Sequence, residues 1–377
     1  MLPTGWRVRA ATKLRHEAKV PHILSLIACL NDADDEVRGA VRESLAAIGP
    51  ACVPALLGRL TSGPPEGRSA AARMLGHFKV SATILVPVLS QCLSDAESAL
   101  RQSAAMALGQ MGAHARDAVP ELRRRITDSQ PMVVMAAIVA LGNIGTDAQE
   151  AIPQLLEQLS HSERRVRDAA ATALGQIGPS SPAIVPELIQ KLFHREAIVR
   201  AGAATALAGL GTMASDAVPV LLQQLEDQHV SVRLAVVNAF VPIGLGAASA
   251  IPQLIQLLQD REWKIREAAS RALIPHGQNG QRAVPALIPL LTDQHGRVRL
   301  SSMEALTAIG PAARHAALPA FELLLDKHPS LRAAARKYFE SQSGSLTDFM
   351  PYLNEQLESH HSERSQAAMI AINAIGK

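Results

Sequence analysis

Apolar residues recur along this chain at helical spacing, in a block that returns every 33 residues. The block is clearest at residues 152–178, IPQLLEQLSHSERRVRDAAATALGQIG. Leu155, Leu156 and Leu159 fall three and four positions apart and predict one short helix over Ile152–Ser160. Val166, Ala169, Ala170, Ala173, Leu174 and Ile177 form the stripe of a second helix over Arg164–Ile177. Pro153 stands where a first helical turn tolerates a missing N–H, and Gly178 where a helix end wants a residue free to take φ > 0. The proline repeats at Pro54, Pro87, Pro120, Pro153, Pro186, Pro219, Pro252 and Pro285. The glycine repeats at Gly49, Gly112, Gly145, Gly178, Gly211, Gly244, Gly277, Gly310 and Gly376. A fixed period of this length predicts a stack of similar units, because neither helix buries its stripe alone. The fold class expected is an all-α solenoid of about eleven helix pairs. Trp6 to Ala11 reads as a lone second helix, so residues 1–18 form a partial unit. Residues 346–377 form the C-terminal one, and 1–377 is expected to be one continuous body.

A polar ladder accompanies the apolar one. Arg38, Arg68, Arg101, Arg167, Arg200, Arg233, Arg266, Arg299 and Arg332 open successive second helices. Asp32, Asp95, Asp227, Asp260, Asp293 and Asp326 stand six residues before most of them. A guanidinium there can bridge a carboxylate and backbone carbonyls in adjacent turns. The ladder therefore reads as structural, each arginine carrying its own acid, rather than as a basic stripe for phosphates. Val134 interrupts the arginines and leaves Asp128 without its expected base. His161 and His194 replace the aspartate in the next two units, as polar turn residues rather than a metal pair. Pro242 and Pro275, late in two second helices, are expected to shorten or kink them.

Composition narrows the class further. Aromatics are 3 % of 377 residues and the net charge is +3. So small a charge argues for neither a nucleic-acid nor a membrane partner. The longest apolar stretch, Val80–Leu93, is broken by polar residues and too short to span a bilayer. Basic residues without an apolar core at the N-terminus do not make a signal peptide. The three cysteines, Cys29, Cys52 and Cys92, fit no disulfide or zinc spacing, and a cytoplasmic location is expected. No phosphate-binding loop, dinucleotide fingerprint, HExxH or nucleophile elbow occurs. No catalytic residue, cofactor or metal is therefore expected.

The pattern Val-Pro-x-Leu-Leu, then Asp, then Val-Arg-x-Ala-Ala-Ala-x-Ala-Leu-Gly-x-Ile-Gly resembles HEAT repeats. It is closest to the short HEAT-like repeat class of phycobilisome bilin lyases. The resemblance implies a right-handed superhelix of antiparallel pairs with second helices lining a concave groove. It implies a protein or peptide partner held there, with a bilin lyase or isomerase subunit as the alternative. HEAT-like enzymes that hold two irons use several His-Glu pairs, whereas His16-Glu17 alone has that form here. Counting one, five and nine positions from a ladder arginine gives the groove. In the middle units these are Gln102, Met106 and Gln110, then Met135, Val139 and Asn143, then Asp168, Thr172 and Gln176. Amides, methionines and little charge suit a peptide better than phosphate.

Overall fold

Proline at the start and glycine at the end delimit helices much as the period requires. The computed structural model describes residues 3–14, 20–178, 181, 183–342, 344–359 and 361–376. His16, Glu17, Ser343 and Lys377 lie outside the described residues, as do Met1 and Leu2. Among the described residues there are α-helices and 3-10 turns and no strand. The chain divides into two units, Met1–Ile184 and Val185–Lys377.

The first unit runs α1 (Thr4–Leu14), α2 (Val20–Ala28), α3 (Asp35–Ile48), α4 (Val53–Ser62), α5 (Pro65–Leu75), α6 (Ala82–Cys92), α7 (Ser98–Met111), α8 (Val119–Arg125), α9 (Pro131–Ile144), α10 (Ile152–Gln158) and α11 (Arg164–Ile177). The lone helix expected at the N-terminus is α1. It packs on α3, where the Ser44 hydroxyl donates to the Ala11 carbonyl at 3.0 Å. The even-numbered helices are the short first members of each pair. Most of the odd-numbered ones pack on the next odd-numbered helix of the same unit, as α7 does on α9 and α9 on α11. On α11 the buried set is Val166, Ala170, Ala171, Ala173, Leu174, Gly175 and Ile177. Ala171 is buried and Ala169 half-exposed, the reverse of the simple stripe. A helix with neighbours on two sides buries a wider arc than one amphipathic face.

The second unit continues with α12 (Ile184–Lys191), α13 (Ala197–Leu210), α14 (Val218–Gln224), α15 (Val230–Ile243), α16 (Ile251–Leu257), α17 (Trp263–Leu273), α18 (Val284–Leu287), α19 (Gly296–Ile309), α20 (Ala317–Leu323), α21 (Pro329–Ser341), α22 (Met350–Leu357) and α23 (Ser362–Ile375). Its last repeats hold both tyrosines and three of the six phenylalanines of the chain. Phe321, Tyr338, Phe339, Phe349 and Tyr352 form a continuous set of ring contacts. Tyr338 donates to the Ala313 carbonyl at 2.8 Å and Gln342 to that of Gly310 at 2.8 Å. The irregular stretch after Lys337 is thus anchored by bulk and by two buried hydrogen bonds.

Several punctuation signals act differently from expectation. Gly145 (φ +77) and Gly211 (φ +58) take the positive φ that only glycine adopts cheaply. Gly178 and Gly376 do not, with φ of −56 and −80. Pro87 lies inside α6, because that helix starts early at Ala82. Pro242 leaves α15 at its full 14 residues, since it sits in the last turn. Pro275 does shorten α17, to 11 residues, and the chain goes on as 3-10 turns. Four 28-residue runs such as Pro131–Gln158 are apolar enough for a membrane by composition. Each is two short helices separated by a positive-φ glycine, at Gly49, Gly145, Gly211 or Gly244. None is an unbroken helix of the roughly 20 residues a span needs.

His276 occupies the place that Ile243 and Ile309 hold in the flanking repeats. It is buried, and neither ring nitrogen has a hydrogen-bond partner among the described residues. Burial pulls its pKa below the ordinary 6.5. The unfolded chain therefore takes up this proton first. Its contribution to stability is complete above about pH 6.5 and falls as the pH drops below that value. His276→Ile should stabilise the second unit by about 1–3 kcal/mol and flatten denaturation midpoints between pH 5 and 7. Phe339→Ala should cost that unit about 3–5 kcal/mol in chemical denaturation.

Candidate functional site

Each turn between paired helices needs its bare backbone groups satisfied, and one arginine does most of this. Arg101 Nη1 donates to the carbonyls of Asp95 and Ala96 at 3.0 and 2.9 Å. Its other edge grips Asp128, 27 residues on, through two bonds of 2.8 Å. The same two-sided contact recurs in the second unit. Arg200 reaches Asp227, Arg266 reaches Asp293 and Arg299 reaches Asp326. Arg68 reaches Asp95 with a single carbonyl, that of Leu60, on its other edge, and Arg7 reaches Asp32 through side-chain contacts alone. The aspartate six residues upstream thus gives its arginine a carbonyl, while its carboxylate serves the arginine of the preceding repeat. The expected pairing within one repeat is replaced by a tie between repeats. One oxygen of each acid also accepts the amide two residues on, as Asp128 Oδ1 accepts both Arg101 Nη2 and the Gln130 amide, the latter at 3.0 Å.

Electrostatics follow from this geometry. The Arg101 guanidinium outweighs desolvation and holds the Asp128 carboxyl below its usual value. Arg200 does the same for Asp227. Burial would raise Asp95, Asp293 and Asp326, but an amide and an arginine in each case lower them overall. The Arg101–Asp128 side chains are only 11 % and 3 % exposed, so water screens this pair weakly.

The interruptions now have a physical account. Asp128 is not orphaned by Val134, because its partners are Arg101 and Arg125. The contact that Val134 forfeits would have reached position 161, where histidine stands instead of aspartate. Base and acid of one tie are missing together. His161 and His194 keep the other task of the position, since their Nδ1 atoms accept the Glu163 and Glu196 amides at 3.0 and 3.1 Å. Arg167 still holds the carbonyls of His161 and Ser162. Arg233 holds those of Asp227 and Gln228, yet no carboxylate lies within ion-pairing distance among the described residues, Asp260 included.

The nine groove positions lie on α7, α9 and α11, and all are at least partly solvent-accessible. Val139, Asn143, Asp168, Thr172 and Gln176 come together around a depression of about 240 Å³, with Ala169 and Ala173 as its floor. Gln102, Met106, Gln110 and Met135 lie outside that depression. Asp168 is partly answered by Arg164 at 3.4 Å, both exposed. The amides of Gln110, Asn143 and Gln176 make no hydrogen bond among the described residues and face solvent.

Close helix approach creates this surface. A Cβ on Gly109 would lie 2.9 Å from Ala140 Cα, and one on Gly142 would meet Gln176 Oε1 at 2.3 Å. The glycine seats the next helix and its amide. In the second unit Ala208, Val241, Ile274 and Thr307 occupy this position, and a depression of about 400 Å³ opens beside Thr307 between α19 and α21. A basic depression at the start of the first unit, with Arg38, Arg42, Arg73 and His77, was not anticipated. Counting five and nine positions from Arg68 would have reached Arg73 and His77.

Residues 53–130, 86–175, 185–274, 218–306 and 251–340 match the family of HEAT repeats. Residues 166–194 match the PBS lyase HEAT-like repeat. Comparison with curated proteins found no match. Among solved structures, importin beta is similar over 100 % of this chain and 60 % of its own, at 16 % identity and TM-score 0.63. Kap95 from its complex with Nup1 is similar over 97 % and 56 %, at 15 % identity and TM-score 0.57. Kap95p with RanGDP gives 97 % and 56 %, 15 % identity and 0.56. The chain spans a little over half the length of these neighbours, and the likeness concerns fold.

Asp128→Ala should destabilise the first unit by about 3 kcal/mol, because it strands two guanidinium groups. The ladder carboxylates, depressed in the folded state, contribute fully above pH 3.8 and lose their contribution as the pH falls through the lower folded values. Acid denaturation of Asp128→Asn should accordingly show a shallower loss below pH 4 than the parent.

Proposed function

The chain belongs to the HEAT-repeat family, and from that premise we propose that it is a non-catalytic scaffold holding a protein or peptide partner along the second helices α7, α9 and α11. The observation that carries the reading is the row Gln110, Asn143 and Gln176. These amides stand one repeat apart, exposed and without hydrogen-bond partners among the described residues. A primary amide offers both donors and an acceptor, which is what an extended peptide backbone requires. Packed helices lie about 8–10 Å apart. An extended polyproline-type strand advances about 9 Å in three residues, so successive amides meet equivalent backbone positions. Met106 and Val139 add exposed apolar surface beside the row, and methionine adapts to varied partners.

Kap95 appears in complexes with RanGDP and with Nup1. That such a fold holds proteins supports the reading without naming a partner for this chain. A cytoplasmic location belongs to the same proposal and rests on three cysteines that form no disulfide. A bilin-lyase subunit is the second reading, favoured by the match of residues 166–194 to the repeat named for such enzymes. That match covers one repeat, in which Arg167 and His194 make the turn contacts described above.

On a random peptide array, Asn143→Ala with Gln176→Ala should weaken the bound peptides by about tenfold, the worth of one or two hydrogen bonds. Helical circular dichroism should stay unchanged. Equal binding by parent and variant would defeat the groove reading. Incubated with a bilin and an apo-phycobiliprotein, the chain should transfer no chromophore, and covalent transfer would replace the scaffold reading with the lyase one.

A further inference from the structure

The charge of +3 is small for the whole chain, but it is not evenly spread. Arg38 and Arg42 stand four residues apart on one face of α3, Arg73 lies in the last turn of α5, and His77 lies in the turn that follows it. These four residues and Gln110 line one depression of about 330 Å³, with Asp35 at its side. Arg38 is engaged, donating to the carbonyls of Asp32 and Ala33 and pairing with Asp35 at 2.8 Å. Arg42 and Arg73 have no carboxylate within 4.0 Å among the described residues. Desolvation, followed by the charges of Arg42 and Arg38, pulls the Arg73 guanidinium below its ordinary pKa. Like charges held together without an anion disfavour the fold locally. Neither side chain repays this through packing or through the ladder. A helix C-terminus accounts for Arg73 in the last turn of α5, but not for Arg42 in mid-helix.

Register connects this depression to the groove. Arg73, Met106, Val139 and Thr172 are successive equivalents at 33-residue steps, as are His77, Gln110, Asn143 and Gln176. A chain lying along the amides therefore meets the arginines at its next repeat. We infer that the depression between α3 and α5 binds a phosphorylated serine or threonine of the same partner whose backbone follows the amide row. The inference rests on the groove reading.

The chemistry favours this occupant on three counts. Three guanidinium charges less the Asp35 carboxylate leave two positive charges, and a phosphomonoester carries about −1.5 to −2 at neutral pH. Its three terminal oxygens accept from several planar guanidinium forks at once, whereas a carboxylate offers two. Asp35 is 82 % exposed, so its contact with Arg38 is a weak one that an entering anion can displace. A nucleic acid fits less well. The lining has no phenylalanine, tyrosine or tryptophan on which a base could stack, and the continuing groove carries Asp168 and no basic residue.

The test uses the full chain and an array of phosphoserine peptides beside their unphosphorylated and glutamate-substituted twins. Binding is measured by fluorescence anisotropy, with inorganic phosphate and oligouridylate as competitors. The phosphorylated peptides should bind at least about tenfold more tightly than both twins, and the preference should weaken with added salt. Arg42→Gln with Arg73→Gln should remove it. Arg116→Gln with Arg165→Gln, which lowers net charge equally at exposed sites elsewhere, should leave it intact. Equal binding of the glutamate twins, or a preference that survives the Arg42 and Arg73 changes, overturns the inference. So does oligouridylate displacing the peptide more effectively than inorganic phosphate. If binding ignores phosphorylation yet still needs Asn143 and Gln176, this inference fails and the groove reading stands. If no peptide binds, both fail.

Discussion

A guanidinium that reaches backwards to two carbonyls and forwards to a carboxylate, as those of Arg101, Arg200, Arg266 and Arg299 do, is the contact on which much of the stacking depends. It solves two problems at once. The turn between paired helices exposes carbonyls that no helix satisfies, and Arg101 satisfies those of Asp95 and Ala96. The repeats also need a relative register, and the grip on Asp128 supplies it from a weakly hydrated pair of side chains. Removing both partners of one tie costs less than removing one, because an unpaired charge is what the interior penalises. The absence of arginine at Val134 together with an acid at His161 follows this logic. The histidine retains the part of the acid's task that needs only a lone pair.

The second organising feature is size at a single position. Gly76, Gly109 and Gly142 admit the backbone of the following helix, which brings Gln110, Asn143 and Gln176 into one row. The second unit has Ala208, Val241, Ile274 and Thr307 there and presents no such row. Two stretches with the same repeat grammar thus offer different surfaces. At the amide positions themselves the second unit has Gly209, Pro242, Pro275 and Ala308, so side-chain identity as well as backbone spacing makes the difference.

The helix pairs were legible because their signals are local. Apolar spacing, an early proline and a terminal glycine each act within one or two turns, and the lone α1 and paired α22 and α23 emerge where that spacing places them. That the nine counted positions reach solvent was legible for the same reason, since the direction of a side chain around a helix follows from counting. Pro87 and Gly178 were misread because a helix start or end depends on what the neighbouring repeat leaves room for. His276 lies where its neighbours place isoleucine, and its burial becomes visible only when the repeats are packed.

The amino-acid sequence by itself determined that this protein is a stack of helix pairs, with its period, its capping residues and the residues that face outward. All of these rest on interactions between residues close along the chain. The tertiary structure decided which acid each arginine holds, where backbones approach closely enough to align amides, and that Arg38, Arg42, Arg73 and His77 share one depression. Those partners stand about one repeat apart in sequence. Only packing of one repeat on the next brings such residues within the few ångströms at which hydrogen bonds and ion pairs act.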